Sequence, residues 1–207
     1  MTIIQIVQYT SEGATPHNVS FEEEIQQLIG ESVPYQLVIG TQVNESNVVQ
    51  LLLEENSTSG DDTDAGAFVK SLQDSFGTIN TSFSVEVNSS PFLDENPATE
   101  DVVEYVTTWF PASQATPEFR QKIESDFMRF NEIVMRDAEG RIGLSIGWVV
   151  EEQDIEQLKN EKAVAFFTLA GWKSVQHFEK ATKTESFKEA AAIVMGWNAP
   201  YKMVRIL

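Results

Sequence analysis

The chain has 207 residues and no cysteine, and its 32 acidic side chains against 14 basic ones give a formal net charge of −18. Length allows one large domain or two of about 100 residues each. The missing cysteines exclude a disulfide scaffold, a thiolate metal centre and a cysteine nucleophile. So negative a field opposes nucleic acid as a partner, because phosphate binding needs a concentrated basic surface.

The charge is uneven. Residues 1–100 hold 16 acids and one base, Lys70, whereas residues 101–207 hold 16 acids and 13 bases. A hydrophobic content of 42%, with 13 Phe and 4 Trp, is ample for a packed core. Met1 to Tyr9 lacks the basic start and long apolar run of a signal peptide. No stretch reaches the roughly 18 apolar residues of a membrane span. The expectation is a cytoplasmic protein with no membrane partner. Sequons at Asn18, Asn44, Asn56, Asn80 and Asn88 then reflect a Ser/Asn-rich first half rather than glycosylation.

In chain order, Ile3–Tyr9 reads as a strand. Ser20–Ile29 reads as a helix, with Ser20 as N-cap and Glu23 as its capping-box partner. Tyr35–Val43 and Val48–Glu54 read as strands joined by a short turn. A polar loop at 56–66 carries Asp61, Asp62 and Asp64 but lacks the glycine and glutamate spacing of a calcium loop. Helix Ala67–Phe76 stops at Gly77, and Thr81–Val87 closes the half as a strand. After a proline-containing stretch at 89–100, the order repeats. Val102–Phe110 is a strand, and Pro117 opens a long helix that Gly140 ends. Ile142–Val150 and Lys162–Ala170 are strands, a helical stretch runs from Ser174 to about Val194, and Tyr201–Leu207 is the last strand.

One offset lays Tyr35–Val43 over Ile142–Val150, matching Leu37 with Leu144, Ile39 with Ile146 and Gly40 with Gly147. The chain therefore reads as a duplication: a first repeat at 1–88, a linker at 89–100 and a second repeat at 101–207. A β-α-β-β-α-β unit of this size is the ferredoxin-like split. The fold class expected is α+β, two such repeats packed sheet to sheet.

Phe167-Thr-Leu-Ala-Gly-Trp-Lys-Ser-Val-Gln-His-Phe178, followed by Thr184-Glu-Ser-Phe-Lys-Glu-Ala190, resembles the dimeric α/β-barrel superfamily. The similarity is to its antibiotic-biosynthesis-monooxygenase-like branch. The residues that carry it are Trp172, Ser174, Phe178, Phe187 and Ala190. The resemblance implies that two units close a barrel, here as an internal pseudo-dimer in a monomer or homodimer. It also implies a cofactor-independent monooxygenase or cyclase acting on an aromatic or polyketide-like molecule. Haem-degrading members place a histidine where Ala191 stands and an asparagine near Thr107 or Thr108, so haem chemistry and other cofactors are not expected. The histidine pair of the ring-closing members is also missing, since Ala181-Thr-Lys-Thr184 occupies that region.

For the site, His177 is the candidate general base, since an imidazole titrates near neutrality. His17 reads as an ordinary loop residue, and two histidines so far apart make no metal site. Tyr105, Trp109, Trp148, Trp172, Phe127 and Met128 are the candidate pocket residues for a hydrophobic or aromatic small molecule. Indole N–H groups need partners, so tryptophans suit a cavity wall better than a sealed core. Two other readings compete: a non-catalytic structural or stress-type barrel, which a filled core would favour, and an acidic first half that docks a basic partner.

Overall fold

The computed structural model describes residues 2–10, 35–55, 70, 73–74, 79–93, 95–159 and 161–207. The helices expected at Ser20–Ile29 and Ala67–Phe76, the polar loop at 56–66 and His17 lie outside the described residues, apart from Lys70, Gln73 and Asp74.

The strands are β1 (Thr2–Thr10), β2 (Tyr35–Gln42), β3 (Glu45–Glu55), β4 (Ile79–Val87), β5 (Val102–Pro111), β6 (Arg141–Val149), β7 (Gln153–Asp154), β8 (Lys162–Trp172) and β9 (Tyr201–Ile206). The described helices are α1 (Pro117–Val134), α2 (Val175–Ala181) and α3 (Glu185–Met195). All strand pairings are antiparallel, in the order β5-β9-β2-β3-β1-β4-β6-β8-β7, and β5 also pairs with β8. That last pairing closes eight strands into a barrel, with the two-residue β7 appended to β8.

Within the ring, β2-β3-β1-β4 and β9-β5-β8-β6 each carry the strand order of a ferredoxin-like unit. The fold is a tandem α/β barrel of the dimeric kind, built inside one chain. At each seam, the second strand of one unit meets the fourth strand of the other. Gln42 pairs with Ile206 at one seam, and Val85 to Val87 pair with Val149 to Gly147 at the other. The two glycines matched in sequence occupy these seams. A Cβ on Gly40 would run into the Ile206 side chain and lie 2.5 Å from the Leu207 carbonyl oxygen. One on Gly147 would lie 2.9 Å from Val87 Cα and strike the Glu86 carbonyl. Glycine permits this close backbone approach, so the shared pair marks where the repeats join.

Alternation on each strand divides the side chains between two layers. Ile4, Ile6, Leu52, Phe83, Val85, Val103, Tyr105, Phe167, Leu169, Val204 and Ile206 fill the barrel interior. The opposite face of β5, β6 and β8 packs under α1, α2 and α3, through Val102, Phe110, Ile146, Val164, Phe166 and Trp172. Phe92 and Ala98, from the stretch between the repeats, are buried in the barrel core.

Two boundaries differ from the sequence reading. Helix α1 ends at Val134 rather than at Gly140. Ala138 turns inward onto the core under α2 and α3, and Gly140, at φ +77°, then redirects the chain into β6. The single helix expected over Ser174 to Val194 is two helices. The Thr184 hydroxyl accepts from Phe187 N–H at 3.1 Å and donates to the Ala181 carbonyl at 2.7 Å, so it caps α3 and ends α2 at once.

Candidate functional site

A cavity of about 530 Å3 lies between the outer face of the β5–β8 sheet and the three helices. Every described lining residue falls between Glu104 and Met203, within the second repeat. Glu104, Val106 and Thr108 from β5 and Phe166, Thr168, Ala170 and Trp172 from β8 form its floor. Glu104 opposes Ala170 and Thr108 opposes Phe166 in the register, so the floor runs about 13 Å along the strands at roughly 3.3 Å per residue. Phe127 and Phe130 from α1, with Phe187, Ala191 and Val194 from α3, make an apolar roof. Met195, Tyr201 and Met203 line the cavity and are each more than two-fifths exposed, so the mouth lies beside them.

The charged lining groups, Glu104 and Arg141, lie away from Tyr201 at the other end. Arg141 stands directly opposite Trp172, and Arg205 directly opposite Glu104. Burial raises the Glu104 carboxyl to about 7, and the nearby guanidinium groups of Arg141 and Arg205 only partly pull it back. Its Oε2 is buried, and among the described residues it has no hydrogen-bond partner and neither arginine forms an ion pair with it. Arg141 donates from one guanidinium nitrogen to Asn131 Oδ1. Burial lowers its pKa and the Glu104 charge raises it, and a guanidinium stays charged in a protein interior. Arg205 lies over the Phe178 ring, 4.8 Å from its centroid. A carboxyl poised near neutrality in an apolar cavity is suited to take up and return a proton.

The tryptophans separate by their partners. Trp109 donates to Gln153 Oε1, Trp148 to Glu124 Oε1 at 2.7 Å and Trp197 to Asp126 Oδ2 at 3.1 Å. Trp172 Nε1 is buried and has no partner among the described residues.

Of the residues singled out from sequence, Trp172 and Phe127 line the cavity. Tyr105 points the other way, into the barrel, where it donates to Gln50 Oε1 at 2.8 Å and stacks on Phe167. Trp109 also packs against the barrel core. Trp148 lies in the neighbouring aromatic cluster with Phe110 and Phe166, under the Arg120 guanidinium. Met128 is exposed on α1. His177 does not line the cavity: its Nδ1 is 2.8 Å from Ser174 Oγ and its ring lies against Gly140. Glu104 and Arg141 were not singled out, although Glu104 is the one charged residue on β5, which is the signal that could have found it.

Ala191 lines the cavity, as does Thr108 but not Thr107; these are the positions at which the resemblance would put the histidine and the asparagine of haem-degrading members. A haem iron there would meet no imidazole among the described lining residues. The donor set does not fit haem. Among the described residues no group of three or more His, Asp or Glu side chains could hold a metal ion, and no helix is long and apolar enough to cross a membrane.

The architecture defines the class: a tandem dimeric-type α/β barrel with a cavity under the helices of its second repeat. No family model matches the chain, and no curated protein matches it. Solved structures do. An anthrone oxidase-like protein superposes with a TM-score of 0.55 at 13% identity, covering 99% of this chain and 90% of that one. A monooxygenase-like protein of Lactobacillus acidophilus NCFM gives 0.55 at 10% identity, covering 100% and 94%. A mutant chlorite dismutase of Candidatus Nitrospira defluvii gives 0.60 at 8% identity, covering 100% and 91%. At such identities the likeness is one of fold.

Proposed function

We propose that the protein binds an aromatic or polyketide-like small molecule in the second-repeat cavity and acts on it as a cofactor-independent monooxygenase, with Glu104 as the base. The observation that carries this reading is an apolar cavity of about 530 Å3 with an unpartnered carboxyl, raised to about 7, on its floor. Ligand sites start near roughly 300 Å3, so a filled, purely structural barrel does not account for the space. The fold likeness to monooxygenase-like and anthrone oxidase-like proteins points the same way.

The chemistry balances with dioxygen as oxidant. Glu104 removes a proton from an acidic C–H or O–H of the substrate, leaving a delocalised anion in the water-poor cavity. The anion passes electrons to dioxygen, a carbon–oxygen bond forms, and the peroxide takes the proton back from Glu104 to give a hydroperoxide. Glu104 then removes the second hydrogen of that carbon as a proton, the C=O forms as the O–O bond breaks, and this proton joins the departing hydroxide. A ring CH2 thus becomes C=O and one oxygen atom leaves as water. The apolar roof of Phe127, Phe130 and Phe187 would stack on the ring and keep bulk water out.

Oxygen uptake with anthrone as the probe, under metal-free conditions, tests the reading. Uptake that falls at least a hundredfold in Glu104→Gln supports it. Anthrone that quenches tryptophan fluorescence without oxygen uptake would leave a binding protein and remove the catalysis.

A further inference from the structure

At the closed end of the cavity, a carboxylate, a guanidinium and an indole N–H share one face of three adjacent strands. Glu104 is on β5, Trp172 on β8 and Arg141 on β6, with Arg141 opposite Trp172 and Glu104 two residue pairs along, on the same face. All three line the cavity. Each has unused hydrogen-bonding capacity. Among the described residues, Glu104 Oε2 and Trp172 Nε1 have no partner. Arg141, with five N–H donors, has one hydrogen bond, to a neutral amide oxygen. Even a half-buried guanidinium without a carboxylate partner carries a desolvation cost, and a buried indole N–H normally finds an acceptor.

We infer that this end is an oxyanion subsite: it takes the acidic hydroxyl of an aromatic substrate, Glu104 accepts the proton, and Arg141 with Trp172 Nε1 holds the resulting phenolate or enolate. This deepens the proposed function and rests on it. The step breaks the ligand O–H bond and makes an O–H bond on Glu104, with no change of oxidation state. The total charge of the end is unchanged. What changes is where the negative charge sits. It moves from a carboxylate oxygen that no donor reaches to a ligand oxygen that two donors face, and hydrogen bonds to the charged form favour it. Arg205, the other charged group acting on Glu104, is engaged on the Phe178 ring and opposes Glu104 from β9. It favours a negative charge here in either location.

A carboxyl near neutrality at this position matches an acidic phenol or a ring-ketone enol better than an aliphatic alcohol. The substrate class is therefore a hydroxyaromatic inserted hydroxyl-first, with its apolar body toward Met195 and Tyr201 at the mouth.

4-Nitrophenol is the probe, since its anion absorbs in the visible, and 4-nitroanisole, which has no hydroxyl, is the control. Wild-type protein in excess should lower the pH at which bound 4-nitrophenol ionises by about one unit, a tenfold change in its ionisation constant. It should also bind 4-nitrophenol at least tenfold more tightly than the ether by tryptophan quenching. Arg141→Met should abolish the shift and Arg141→Lys should retain part of it, with far-UV circular dichroism confirming the fold of each. Phenolate colour should form in wild type without net proton release, and in Glu104→Gln with release of one proton. An unshifted ionisation, equal binding of phenol and ether, or a shift that survives Arg141→Met overturns the inference while leaving the cavity as an aromatic site. Failure of both probes to bind overturns the cavity reading itself, and this inference with it.

Discussion

Glu104→Gln should make the stability of the protein less dependent on pH. Burial holds the Glu104 carboxyl at about 7 in the folded chain against an ordinary 4.5, and at roughly 1.36 kcal/mol per pH unit this gap is worth about 3 kcal/mol. The cavity beside it admits water, which screens the charge, so about 1–3 kcal/mol is the expected range. The sign follows from proton counting. Below pH 4.5 the carboxyl is protonated in both folded and unfolded chains and contributes no difference. Between pH 4.5 and 7 the unfolded chain ionises first and binds fewer protons, so stability falls as pH rises. Above 7 both states are ionised and the full penalty persists. The glutamine carries no such penalty. Urea denaturation at intervals from pH 4 to 8.5 should therefore show wild type and Glu104→Gln converging at the acid end. The variant should become the more stable one across the window, with unchanged m-values. A stability difference that stays flat between pH 4.5 and 8, or a wild type that gains relative to the variant, would refute a buried, unpaired carboxyl at this position.

Ala191→Trp should fill the cavity from α3 and weaken binding of a fluorescent aromatic probe at least tenfold, with the melting temperature held or raised, because the indole occupies empty apolar space. His177→Ala should cost about 0.5–1.5 kcal/mol through the lost contact with Ser174 Oγ. It should leave probe affinity within about twofold; a change in the pH profile of turnover would restore the histidine as the base. Gly147→Ala should destabilise the barrel by about 1–3 kcal/mol in urea melts, because the new methyl group meets backbone across the β4–β6 seam. Thr184→Ala should cost about 1 kcal/mol by removing the cap of α3.

Alternating apolar residues and capping signals determined most of the architecture within the described residues. The strand at Val102 to Phe110, the helix opened by Pro117 and the Trp-x-Ser cap at Ser174 were all legible, because strand period and N-cap chemistry are local. So was the duplication, since Gly40 and Gly147 recur at one offset. What the sequence could not decide is which way each strand faces. Tyr105 and Glu104 are neighbours in sequence, yet one donates to Gln50 inside the barrel and the other lines the cavity. A strand alternates two faces, and only the packing of helices over one of them says which face holds a ligand. Burial of three of the four indole N–H groups on Gln153, Glu124 and Asp126 was likewise invisible, because those partners come from distant parts of the chain. The same holds for the charge asymmetry. The sequence locates an acidic first half and a near-neutral second half, but the pairing of β9, β5, β8 and β6 into one sheet is what brings Glu104, Arg141 and Arg205 onto one face. An isolated carboxylate on a strand is ordinary; buried beside two guanidinium groups that do not pair with it, it becomes a titratable group near neutrality.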